Sequence, residues 1–251
     1  MNPSLSVLDN IIIAGDSWGC GEWSTSGNGQ PGRVLHKGLE QYFIDVGKQV
    51  YNCATGGFSN TNSIDALREA LLTQPPSTVF WIQSDPIRDL RPFWRLPESE
   101  TPYKNLTEEI AKHNGFESLC RSLISKHYQA LNELGVEIHL IGGKRDIDVD
   151  LLEGLNNLKP TVPSWTHLLV GHIEKYQNLF PVSTMSDYTV ANIDLESYNI
   201  ELRHRVVDEM HRASLCWGIY DEQMIFHPDG QHPNREGHRV LFDYIVKELN
   251  L

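Results

Sequence analysis

Four short apolar segments, separated by stretches with helical spacing, constrain the fold of this chain more than any other feature. They run from Asn10 to Ala14, Gln49 to Cys53, Thr78 to Gln83 and Val136 to Ile141. Each has strand length, and most are rich in Val, Ile or aromatic residues, as strands buried on both faces tend to be. Between them, apolar residues recur at helical intervals over roughly Arg33 to Phe43, Thr61 to Leu72 and Glu108 to Leu134. The order βαβαβαβ predicts an α/β fold: a mostly parallel sheet with right-handed crossovers and helices on both faces, three layers in all. Sites in such sheets form beyond the carboxyl ends of the strands.

Each predicted strand ends in a polar or glycine-rich turn: Gly15-Asp16-Ser17, Ala54-Thr55-Gly56-Gly57, Ser84-Asp85-Pro86 and Gly142-Gly143-Lys144. The fold would gather these turns at one edge. Two further helical patterns follow, about Glu196 to Trp217 and Arg235 to Leu249, with a final strand near Gln223 to Phe226. Two long connections, about 86–105 and 144–166, carry Trp94 and Trp165 among prolines and charges, and loops of that length are usually functional or disordered. No repeat or composition break divides the chain, so residues 1–251 are expected to form a single domain.

A formal net charge of −12 argues against phosphate-driven binding to nucleic acid or to an anionic membrane. The early apolar run Ile11 to Ala14 is too short for a membrane span or a signal peptide's apolar core, and the expected location is cytoplasmic. Cys20, Cys53, Cys120 and Cys216 are scattered without a CxxC pair and read as free thiols rather than as staples or a nucleophile.

Ser17 follows the first strand in a tight turn that holds its hydroxyl clear of the sheet. Serine is inert without a base, and an ordinary capping serine is the bland reading. A base is available near the other end of the chain, in His227-Pro228-Asp229-Gly230-Gln231-His232-Pro233-Asn234. Asp229 and His232 lie three residues apart, so the carboxylate can hold the imidazole tautomer while the other ring nitrogen faces a serine. A capping aspartate at a helix entry is the alternative. His227, Asp229 and His232 lack a further ligand at compact spacing, so no metal site is expected. Gly142-Gly143-Lys144-Arg145 lacks the full phosphate-loop spacing and reads as a strand-end turn.

Three motifs together resemble blocks of the SGNH (GDSL-type) hydrolases: Ile13-Ala14-Gly15-Asp16-Ser17 the first, Asn52-Cys53-Ala54-Thr55-Gly56-Gly57-Phe58-Ser59-Asn60 the second, and Asp229-Gly230-Gln231-His232-Pro233-Asn234 the fifth. The resemblance spans nearly the whole chain and implies a flavodoxin-like central sheet. It also implies a serine ester hydrolase, of carboxylesterase or carbohydrate O-acetylesterase type, with Ser17 as nucleophile and Asp229 and His232 completing the triad. The amides of Ser17 and Gly57 would hold the oxyanion, and no cofactor is implied. Independently of the family, a residue without Cβ lets a backbone N–H approach a substrate oxygen, with Gly56 as the alternative donor.

The third block departs from the family pattern Gly-x-Asn-Asp. Ile82-Gln83-Ser84-Asp85-Pro86 places Asp85 at the asparagine position, and an ionised carboxylate only accepts hydrogen bonds and repels an oxyanion. Three remedies are open: Asp85 is protonated, Arg88 neutralises it, or Ser84 donates instead. Asp16, Trp18, Arg88 and Trp94 are expected to bind substrate, a small-molecule or carbohydrate ester, with Trp23 and Trp165 near the same edge. The same machinery could pass its acyl group to a sugar hydroxyl, as an O-acyltransferase. The missing asparagine also leaves room for a non-catalytic carbohydrate- or partner-binding module on this fold.

Overall fold

A computed structural model describes residues 9–25, 31–75, 77–93, 108–143, 145–165, 168, 232–233 and 235–251. Among these residues five strands form one sheet: β1 (Asn10–Ala14), β4 (Gln49–Asn52), β5 (Thr78–Gln83), β6 (Ile138–Gly142) and β7 (Leu158–Val162). Their order is β4-β1-β5-β6-β7, every neighbouring pair is parallel, and β1 pairs with β5 in the register Ile13↔Phe80 and Ala14↔Trp81. With the five numbered in chain order this is 2-1-3-4-5, the flavodoxin-like arrangement. A separate antiparallel pair, β2 (Glu22–Thr25) and β3 (Pro31–His36), follows the first strand.

The central strands are apolar on both faces because helices cover both. Helices α1 (Leu39–Asp45) and α4 (Arg235–Leu249) pack on one face, where Leu39, Phe43, Val240, Leu241 and Ile245 meet Ile11, Ile13, Phe80 and Ile82. Helices α2 (Asn60–Thr73) and α3 (Phe116–Asn132) cover the other, with Ile64, Leu67, Ile124, Tyr128 and Leu131 against Ile12, Val79, Trp81 and Leu140. Alternate residues of one strand thus enter two different cores, as the two-residue pleat dictates. The three layers are those expected for this α/β fold.

Several local expectations are corrected. The stretch from Arg33 to Phe43 is not one helix: Pro31–His36 is strand β3, and α1 begins only at Leu39, after Gly38 at φ +57°. The helix expected over Glu108 to Leu134 is broken at Asn114 (φ +59°) and Gly115 (φ +127°), after which α3 starts. The connection at 144–166 contains strand β7, which among the described residues is the outer strand of the sheet, and whose Pro160 sits beside a register irregularity, where a missing N–H costs little. The segment Pro86–Phe93 is a 3₁₀ turn. The helix expected at Glu196 to Trp217, the strand at Gln223 to Phe226 and Trp94 lie outside the described residues.

Candidate active site

The strand order reverses between β1 and β5, and the turns beyond their carboxyl ends, with that of β4, form the site. Ligands of such sheets bind at this switch point. The β1 turn carries Ser17. Asp16 shapes it: Oδ1 accepts from Trp18 N at 2.9 Å, and the Asp16 carbonyl accepts from Gly19 N at 3.0 Å. Gly15, at φ +151°, lets β1 turn against β5, since a Cβ there would lie 2.9 Å from Ile82 Cβ and 3.0 Å from Ile82 O.

The β4 turn closes through Phe58 N donating to Thr55 O at 3.1 Å, with Gly57 at φ +83° in the position of a four-residue turn that favours glycine. Thr55 N donates to Gly15 O at 3.2 Å and so ties this turn to the first. Ser59 then caps α2, accepting from Asn62 N while the Asn62 side chain accepts from Ser59 N.

His232 reaches this edge from the far end of the chain. Its Nε2 lies 2.9 Å from Ser17 Oγ, across 215 residues of sequence. Both residues are nearly buried, Ser17 at 6% and His232 at 8% exposure. The position of the ring follows from the first turn of α4, three residues on. Tyr42 OH donates to Arg235 O at 3.1 Å, Trp165 Nε1 donates to Gly237 O at 3.2 Å, and Leu39 N donates to His238 Nδ1 at 3.3 Å. Arg235 adds an ion pair with Glu22 of β2 at 3.1 Å. A serine hydroxyl donating to an unprotonated imidazole nitrogen is the arrangement that general-base activation needs. Asp229 lies outside the described residues.

The β5 turn is fastened by a buried amide clamp. Asn60 Nδ2 donates to Ser84 O at 2.9 Å, and Ser84 N donates to Asn60 Oδ1 at 2.8 Å. Ser84 Oγ donates to Asp16 Oδ2 at 3.0 Å, so its proton is turned toward a carboxylate. The ion-pair partner of Arg88 is Asp16: Arg88 Nη1 lies 2.6 Å from Asp16 Oδ2 and 3.1 Å from Phe58 O. Neutralisation by Arg88 is one of the three remedies open for Asp85, and the arginine instead crosses to the β1 turn and pairs with Asp16. Asp85 Oδ1 accepts from Ile87 N at 3.0 Å and so shapes the start of the 3₁₀ segment.

Two residues expected to meet substrate have other neighbours. Asp16 is only 4% exposed, with its carboxylate engaged as above. Trp18 is 2% exposed and stands edge-on to Trp165, 5.2 Å between ring centres, inside the core beneath α4. A large aromatic next to the Ser17 turn has more to gain from that packing than from lining a wet cleft. The sequence reading missed the clamp by Asn60 and the Asp16–Arg88 pair. The only signals were a polar residue at the start of an otherwise amphipathic helix and an arginine just beyond a strand end.

The three cysteines among the described residues are poor nucleophiles. Burial first, and then the Asp16 charge, push the Cys20 thiol up to about 12, and burial pushes Cys53 to about 11 and Cys120 to about 12. Among the described residues no three His, Cys, Asp or Glu side chains gather as a metal site would require. Nor, among them, is any helix long and apolar enough to cross a membrane.

No family model matches the chain, and no curated protein matches it. Among solved structures, it is similar to lipases and esterases. A carbohydrate acetylesterase family member from Sinorhizobium meliloti is 14% identical, with a TM-score of 0.44 over 97% of this chain and 100% of that one. A lipase/acylhydrolase from Enterococcus faecalis is 14% identical, with a TM-score of 0.42 over 96% and 95%. A Bacillus subtilis protein is 17% identical, with a TM-score of 0.46 over 97% of this chain, which spans 56% of that longer one.

Proposed function

We propose that the protein is a serine ester hydrolase of the SGNH kind. The observation that carries this reading is the 2.9 Å contact between Ser17 Oγ and His232 Nε2 at the switch point of the sheet. His232 takes the Ser17 proton as Oγ attacks the ester carbonyl. The tetrahedral oxyanion is held by the backbone amides of Ser17 and Gly57. His232 then gives its proton to the departing alkoxide, leaving an acyl-serine. Water, deprotonated by His232, attacks that acyl group, and the proton returns to Ser17 as the acid leaves.

Asp229 is assigned to the far side of the imidazole on its three-residue spacing from His232, where a carboxylate holds the tautomer and stabilises the imidazolium. Ser84, whose hydroxyl already donates to Asp16, is a weak candidate for a third oxyanion donor. Asp85 stands where the family has an asparagine and supplies no amide. Losing one oxyanion donor costs about 3 kcal/mol, so turnover slower than that of an enzyme with all three donors is expected. Transfer of the same acyl group to a sugar hydroxyl would use identical groups, with the hydroxyl in the place of water.

The test is hydrolysis of p-nitrophenyl acetate and of acetylated sugars by the wild type, Ser17→Ala and His232→Ala. Turnover by the wild type that falls about 10³-fold or more in each variant, with folding intact, supports the reading. Equal rates in wild type and Ser17→Ala would end it.

A further inference from the structure

Three turns meet at one buried ion pair, and that meeting has a consequence for catalysis. Asp16 Oδ2 receives Arg88 Nη1 at 2.6 Å and Ser84 Oγ at 3.0 Å. The Phe58 carbonyl faces the same two groups, Arg88 Nη1 at 3.1 Å and Ser84 Oγ at 3.3 Å. A hydroxyl has one proton to give, and the nearer, charged acceptor is Asp16. The donor left for Phe58 O is Arg88, whose guanidinium therefore bridges the β1 turn and the β4 turn from its own place beyond β5.

Asp16 immediately precedes Ser17, and Phe58 immediately follows Gly57. The glycine pair at 56 and 57 is exposed and forms the middle of the β4 turn. Its turn is held at the start by Thr55 N on Gly15 O and at the end by Arg88 on Phe58 O. A buried pair of this kind contributes little net stability, because desolvation offsets most of its attraction. Its effect is geometric. With no asparagine in the third block, and with the Gln83 amide donating to Asp146 O and accepting from Tyr128 OH, the oxyanion hole of this reading consists of backbone N–H groups, and their value depends on being fixed before the reaction.

We propose that Arg88, through Asp16 and the Phe58 carbonyl, is the positioning residue that sets the Ser17 and Gly57 amides on one point. This rests on the esterase reading for its catalytic consequence, but its structural half stands apart from it. Two readouts on the full chain separate them: p-nitrophenyl acetate kinetics, and hydrogen exchange at the backbone amides of residues 55–58 and 17–18.

In Arg88→Ala, exchange over 55–58 should rise at least about tenfold while the amides of β5 stay as in the wild type, since the loss is local. A misplaced donor of this kind lowers kcat by about 100-fold with KM changed less than about threefold, and added ethylguanidine should restore part of the loss. Arg88→Lys keeps the charge without the planar fork and should fall between, about tenfold down in kcat. It also serves if the alanine variant does not fold. Unchanged exchange over 55–58 in the folded variant would overturn the proposal, as would a loss confined to KM, which marks a substrate-binding arginine. A wild type without esterase activity would sink the functional reading alone, and the exchange result would still decide whether Arg88 holds the turns.

Discussion

His238 makes the stability of this protein dependent on pH in a way that can be worked out. The ring lies in the first turn of α4, 0% exposed, with Nδ1 accepting from Leu39 N. Burial above all, with the neighbouring His36 and His232 adding to it, lowers its pKa to about 3 from an ordinary value near 6.5. Below about pH 6.5 the unfolded chain binds a proton here that the folded chain refuses. The contribution is thus fully present above that value and is lost as the pH falls toward 3. Each unit is about 1.4 kcal/mol, so at pH 5 the cost is about 2 kcal/mol. That is a large share of the ~5–15 kcal/mol that holds a typical domain. His127 and His139, also lowered chiefly by burial, act in the same direction. Urea unfolding at about pH 7.5 and about pH 5 would measure this in the wild type and in His238→Gln, whose amide oxygen can still accept from Leu39 N. The other titrating groups cancel in the comparison. The wild type should lose about 2 kcal/mol more than the variant between the two conditions. Parallel pH dependences would refute the reasoning.

Three further outcomes follow from the packing around the site. Gly15→Ala forces a Cβ against Ile82 Cβ and carbonyl at a positive φ, and should cost about 1–3 kcal/mol in urea unfolding, with activity falling further because Ser17 is two residues on. Asn60→Ala strands the buried N–H and C=O of Ser84 and should cost about 2–5 kcal/mol by the same measurement; a loss below about 0.5 kcal/mol would mean that the clamp is not formed. Tyr128→Phe removes a hydroxyl that donates to Gln83 Oε1 at 2.7 Å and accepts from Asp148 N at 3.2 Å, and should cost about 1–2 kcal/mol, with faster hydrogen exchange at Asp148.

What could be read from the residues alone follows the physics of each element. Asn10–Ala14 and Thr78–Gln83 were legible to the residue because a strand covered on both faces must be apolar through its middle, here Ile11–Ile13 and Val79–Ile82. Strand β7 was not, because Lys159 and Pro160 lie on the outer strand of the described sheet, where polarity and a missing donor are tolerated. The short helix α1 was merged with β3 because Val34, Leu35 and Leu39 happen to fall at helical intervals, and only the φ of Gly38 separates them. At the site, Ser17 and His232 were visible as motifs, and the fold brings them within 2.9 Å of each other. The partner of Arg88 was not visible, because an ion pair across 72 residues leaves no trace in spacing. Trp18 and Trp165 show the same limit: composition places aromatics near an edge, and only packing decides whether they face the cleft or the core.

The central claim is that His232 makes Ser17 a nucleophile, and covalent labelling tests it most directly. The intact protein would be treated with a fluorophosphonate, and the modified peptide would be located by mass spectrometry. One phosphonate per chain on the peptide carrying Ser17, absent in Ser17→Ala and slowed at least about 100-fold in His232→Ala, is the predicted result. A folded wild type that takes no label, or one labelled equally well after Ser17→Ala, would contradict it.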